Sequence, residues 1–222
     1  AQHGYVLFSI NYRLVRGTKN QYPAAVHDTR AAVQFLRNKA ATLKVDSDRI
    51  GCIGDSAGAY LASLVALTGD ASLFSGAYPS DPYAGVSTKV KIVVGVYGVY
   101  DLLAQWHHDQ LTRPRDQATE IWLGKSPMES KQIFYEASPL TYTTIDKNDT
   151  AFLVVWGRED DIVDSRSQSE VFVMALKQAG FFVRTVIVAG APHFWMSDPI
   201  DEPTSYTRFL APRLLSFLQN QL

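Results

Sequence analysis

The 222 residues are 46% hydrophobic and 19% charged, the balance of a globular domain large enough to bury a core. Lys and Arg number 21 against 22 Asp and Glu, so no basic excess points to nucleic acid or an anionic membrane surface. No apolar run reaches bilayer-spanning length, and the single cysteine, Cys52, rules out a disulfide framework within the chain while leaving the compartment open.

The chain starts at Ala1-Gln-His-Gly4, without an initiator methionine or a signal-peptide pattern, which leads us to expect a fragment or a processed piece. Tyr5–Ile10 is a continuous apolar run, expected as a strand buried on both faces. A loop then leads to Pro23, placed as the first residue of a helix. Ala25, Thr29, Ala32, Val33, Leu36 and Ala40 fall at helical spacing there, with Asp28, Arg30, Arg37 and Lys39 toward water. Asp46-Ser-Asp-Arg49 reads as a turn. Ile50–Gly54 reads as a short buried strand carrying Cys52 as an inert core thiol, and Ala57–Leu67 as a helix of good formers.

Between that strand and that helix stands Gly54-Asp-Ser-Ala-Gly58. A serine on a sharp strand-to-helix turn takes a strained backbone and lifts its hydroxyl clear of the sheet. Side chains at either flanking glycine are expected to collide with the neighbouring strand or the helix start. Further strands are expected at Val90–Tyr97, Phe152–Trp156 and Val183–Val188. Helices are expected from about Ser165 to Gln178, stopped at Ala179-Gly180, and at the amphipathic C-terminus through Leu214–Leu218. Strands alternating with helices imply a mostly parallel sheet, an α/β fold in a single domain over 1–222. The alternation lapses between Asp101 and Leu140, where Trp106, His107, His108, Trp122, Phe134 and Tyr135 cluster. An insertion at about 102–140 is either a substrate-covering cap or a unit packing its own small core.

A serine hydroxyl needs a base, and the base needs a third group to fix its tautomer. On this topology the acid and then the histidine follow the serine, on loops after later strands. His193, after the last strand and a Gly-Ala-Pro turn, is the candidate base. His27 lies on the first helix, His107 and His108 lack metal-ligand spacing, and His3 stands near the terminus. For the acid, Asp160 leads, three residues after the glycine that ends its strand. Asp101 is the alternative, and Asp161 and Asp164 read as solvated loop charges.

The motifs Ser9-Ile-Asn-Tyr-Arg-Leu14, Pro23–Val26, Asp48-Arg-Ile50, Gly54–Gly58, Ala137-Ser-Pro139, Gly157–Asp160 and His193 together resemble the α/β-hydrolase superfamily of esterases and lipases. Within it they resemble the hormone-sensitive-lipase-like and feruloyl-esterase-like carboxylesterases. That resemblance implies Ser56 as nucleophile, His193 as general base and then acid, Asp160 as its orienting partner and the Ala57 N–H as one oxyanion donor. The first strands of the fold and its His-Gly-Gly loop find no counterpart, since His3-Gly4-Tyr5 does not fit. An N-terminal segment or an associated chain is therefore expected to complete the sheet and the oxyanion hole. The implied function is hydrolysis of small or aromatic carboxylic esters, with Trp106, Trp122 and Trp195 as substrate-lining candidates. A serine peptidase or arylformamidase on the same residues, or a non-catalytic ligand-binding protein on a hydrolase scaffold, are the alternatives. Neither a cofactor nor a metal is implied.

Overall fold

The computed structural model describes residues 3–222, the side chain of Lys147 excepted. Its centre is a four-stranded, all-parallel sheet in the order β1 (Gly51–Asp55), β2 (Ile92–Val96), β3 (Ala151–Gly157), β4 (Val183–Val188). Register aligns Asp55 with Val96 across β1 and β2, so the nucleophile turn lies level with the end of the neighbouring strand. β2 and β3 read as unbroken apolar runs because both of their faces are covered. Phe152, Val154 and Trp156 point to one core with α1 (Ala24–Asn38), α3 (Ala57–Thr68) and α7 (Val171–Gln178). Ala151, Leu153 and Val155 point to the other, closed by Leu210, Phe217 and Leu218 of α8 (Tyr206–Gln221). This period-two division is what a strand between two helical layers requires.

α3 is buried on nearly every side from Ala59 to Val65, which explains its apolar composition all round. A short helix, α2 (Ala40–Leu43), ends at Lys44 in the left-handed region, φ 56°. The stretch between β2 and β3 is helical: α4 (Leu102–Thr112), α5 (Ala118–Leu123) and α6 (Lys131–Ala137). Phe134 is buried in the larger core, with Trp106 and Trp122 packed partly against it. A π-helical turn, Arg166–Glu170, leads directly into α7.

Four expectations change. Tyr5–Ile10 is irregular rather than a strand, with Leu7 80% exposed. A lone apolar segment gains nothing by extending unless a neighbour takes its N–H and C=O groups, and among the described residues none does. For the same reason β1 is an edge strand rather than a buried one, and Ile53 is exposed. Pro23 caps α1 from just outside instead of occupying its first position. Arg30, expected in water, is buried: its guanidinium donates to the Gly69 carbonyl and lies 6.0 Å from the Phe74 ring centre.

Candidate active site

β1 delivers the chain into a turn at Ser56 with φ 50° and ψ −117°, a conformation that L-residues occupy only where the surroundings impose it. The Ser56 N–H donates to the Val96 carbonyl at 2.9 Å and its carbonyl accepts from Tyr60 at 3.1 Å, so both ends of the residue are pinned. Gly54 is sterically obligatory, because a β-carbon there would stand 2.3 Å from the backbone carbon of Gly58. Gly58 is not: a β-carbon there meets nothing within 4 Å. Of the two expected collisions only the first exists.

The loops after β3 and β4 are held together. Gly157 lets them approach, since a β-carbon would lie 2.1 Å from the Ala191 oxygen, and the N–H groups of Arg158 and Glu159 donate to Val188 and Ala191 at 3.0 and 3.1 Å. The pairing carries Asp160 and His193 to the same point. His193 Nδ1 stands 2.7 Å from Asp160 Oδ2, and His193 Nε2 stands 3.0 Å from Ser56 Oγ. The other carboxylate oxygen, Oδ1, accepts the N–H groups of Ile162 at 3.0 Å and Val163 at 2.9 Å. Both side chains are almost wholly shielded from solvent, whereas Ser56 is half-buried and Ala57 exposed. A carboxylate so held fixes the Nδ1–H tautomer and leaves Nε2 free to accept the serine proton. The Ala57 N–H opens α3, where the first amides of a helix have no intrahelical acceptor.

Asp101 is occupied elsewhere. It caps α4, accepting from the Leu103 and Ala104 N–H groups at 2.9 and 3.0 Å. Asp164 caps its own turn through Ser167, and the Asp161 carbonyl pairs with His108 Nε2. His27 is half-buried between the Phe74 and Tyr78 rings; burial first, then the Arg30 and Arg13 charges, lowers its pKa. Among the described residues no group of three or more His, Cys, Asp or Glu is arranged to hold a metal ion. Cys52 is half-buried, and desolvation pushes its thiol up to about 11.

The tryptophans do not converge. Trp106 donates to Glu120 Oε1 at 2.6 Å, Trp122 packs edge-on against Tyr22 and Tyr60, and Trp195 is 2% exposed against Tyr97 and Tyr206. The aromatic groups nearest the imidazole are Tyr97 and Phe194, with ring centres 4.5 and 4.3 Å away, neither singled out from the sequence. Tyr97 has φ 38°, donates its phenol to Asp55 Oδ2 at 3.1 Å and accepts the Met196 N–H at 3.2 Å. It thus ties the residue before Ser56 to the loop of His193. Its position one residue beyond β2, level with the serine turn, was the available signal.

Esterase LipQ of Mycobacterium tuberculosis is 32% identical over 192 residues, covering 86% of this chain and 42% of that protein. A probable carboxylic ester hydrolase, LipM, from the same organism is 30% identical over 184 residues, 80% of this chain and 39% of that one. The chain therefore spans about two fifths of these curated relatives. The acetyl ester-xyloside bifunctional hydrolase of Caldicellulosiruptor lactoaceticus superposes with TM-score 0.76 at 25% identity over 95% of this chain and 69% of that one. An esterase of Thermogutta terrifontis, 20% identical with TM-score 0.69 over 95% and 70%, shares the fold. Residues 1–176 match the BD-FAE family. With this sheet, this turn and this match over most of its length, the chain belongs to the BD-FAE family and has the α/β-hydrolase fold.

Proposed function

We propose that this chain carries the hydrolytic centre of a serine carboxylesterase. The observation that carries the reading is the unbroken hydrogen-bonded line from Asp160 through His193 to Ser56, at 2.7 and 3.0 Å. Ser56 Oγ attacks the ester carbonyl as its proton passes to His193 Nε2. The Ala57 N–H donates to the developing oxyanion, and the imidazolium returns the proton to the departing alcohol. Water, deprotonated by His193, then releases the acid from the acyl-serine. Asp160 stays ionised throughout, and no cofactor enters the sequence.

Relatives named as esterases support an ester over an amide, and a neighbour named as an acetyl ester-xyloside hydrolase favours a small acyl group. Trp106 and Trp122, both partly exposed, stay candidates for lining an acyl or alcohol pocket, and the buried Trp195 packs against Tyr97. The helices between β2 and β3 are the proposed cover. The open edge of β1, with Ile53 exposed beside it, is where we infer that a further strand docks, bringing a second oxyanion donor. Loss of one such donor costs about 10²–10³ in turnover.

The test uses the complete polypeptide. A fluorophosphonate should label Ser56, and p-nitrophenyl acetate should turn over faster than aminoacyl anilides. Anilide turnover in excess would move the reading to a peptidase, and absence of labelling would move it to a binding protein.

A further inference from the structure

Outside the Asp160–His193–Ser56 line lies a largely buried polar ladder that runs from one face of α4 onto the residue closing its C-terminus. Gln105 and Asp109 stand four residues apart on α4 and therefore stack on one face, and Arg113, four residues further on, is the residue that closes the helix. Gln105 is 4% exposed and Asp109 2%, and the Asp109 carboxylate binds the Arg113 guanidinium at 2.6 Å. The pair joins a buried carboxylate to a partly exposed guanidinium, and a pair of this kind adds little to stability over apolar packing but does fix the neighbouring groups that it touches. The neighbour here is the Gln105 amide. Its Nε2 donates to Asp109 Oδ1 at 2.9 Å and to the Ile162 carbonyl at 2.9 Å, while Arg113 reaches the same carbonyl at 3.4 Å. Two acceptors on one side settle which end of the amide faces the loop.

The Ile162 carbonyl belongs to the same peptide unit as the Val163 N–H, and that N–H donates to Asp160 Oδ1. A trans peptide is planar with its C=O and N–H pointing in opposite directions. Gripping the carbonyl from α4 therefore aims the amide at the carboxylate, and the charged ladder polarises the unit in the direction that strengthens that bond. We propose that Gln105, held by the Asp109–Arg113 pair, is a positioning residue that orients Asp160, and through it His193, from outside the substrate site. The inference rests on the reading of Asp160 and His193 given above. It assigns α4 the task of holding the acid loop, whatever the ester.

The experiment compares Gln105→Leu, Arg113→Met and, as a control on the same helix, Leu111→Ala at an 86% exposed position. Turnover of p-nitrophenyl acetate is normalised to fluorophosphonate-titrated sites, and the low-field Nδ1 proton resonance of His193 is followed by NMR without substrate. Gln105→Leu should lower kcat about 10- to 100-fold with KM nearly unchanged, the scale of a loosened catalytic geometry. It should also shift or broaden the resonance. Arg113→Met, which keeps the Gln105 bond, should do both to a smaller degree, and Leu111→Ala neither. If Gln105→Leu fails to fold, Arg113→Met carries the same comparison. A variant with a lowered melting temperature but unchanged kcat per titrated site and an unchanged resonance overturns the proposal. A wild-type protein that shows the resonance yet hydrolyses no ester sinks the esterase reading alone, and the resonance in Gln105→Leu still decides this one.

Discussion

Replacing Asp160 by asparagine separates charge from geometry at the centre of the site. In the wild-type chain one carboxylate oxygen accepts two backbone N–H groups, from Ile162 and Val163, and the other faces His193 Nδ1. An asparagine has one acceptor for these two duties. If its oxygen stays with the backbone donors, its NH₂ faces Nδ1 and forces the imidazole into the Nε2–H tautomer. That ring donates to Ser56 instead of accepting from it, and no base remains. If the amide flips, the correct tautomer returns but two N–H donors face an NH₂ group. Each buried donor left unsatisfied costs about 1–3 kcal/mol. The active orientation is thus disfavoured by about 2–6 kcal/mol, and kcat should fall by about 1.5 to 4.4 decades, from about 30-fold to about 25,000-fold, at 1.36 kcal/mol per decade. Turnover of p-nitrophenyl acetate by Asp160→Asn, corrected for the folded fraction measured by circular dichroism, provides the number. Asp101→Asn is the control, because asparagine caps a helix as well as aspartate does, and its kcat should stay within about twofold. Retention of a third or more of kcat in Asp160→Asn, or an equal loss in Asp101→Asn, would refute the assignment of the acid.

The two glycines of the serine turn should diverge. Gly54→Ala places a β-carbon 2.3 Å from backbone and should abolish soluble folded protein, while Gly58→Ala enters open space in a helix and should stabilise by about 0.5–1 kcal/mol in thermal unfolding. Ser56→Gly should abolish fluorophosphonate labelling yet raise the melting temperature, because glycine relieves a backbone conformation that costs other residues about 1–3 kcal/mol. A lowered melting temperature would show that the turn is not strained. Cys52 should resist iodoacetamide at pH 8 in the folded protein and react on denaturation. With burial holding the thiol near 11, about one molecule in a thousand carries the thiolate at that pH.

Periodicity and punctuation in the chain were sufficient for the strand–helix alternation, the parallel sheet and the serine turn. Continuous apolar runs such as Phe152–Trp156, bounded by glycines and helix formers, have few other stable fates. Order along the chain was also sufficient to nominate Ser56, Asp160 and His193, because loops at the carboxyl ends of parallel strands meet in space. Local pattern, however, says nothing about which neighbours exist. Tyr5–Ile10 is as apolar as β3 but remains irregular, since a strand is made by the partner that takes its hydrogen bonds. What separates Asp101 from Asp160 is likewise packing, which gives one carboxylate a helix to cap and sets the other beside an imidazole. Tyr97, Gln105 and Arg113 are unremarkable in sequence. Their significance comes from contacts between segments remote along the chain, the 57-residue separation of Gln105 from Ile162 among them, and only the folded backbone brings such pairs within reach.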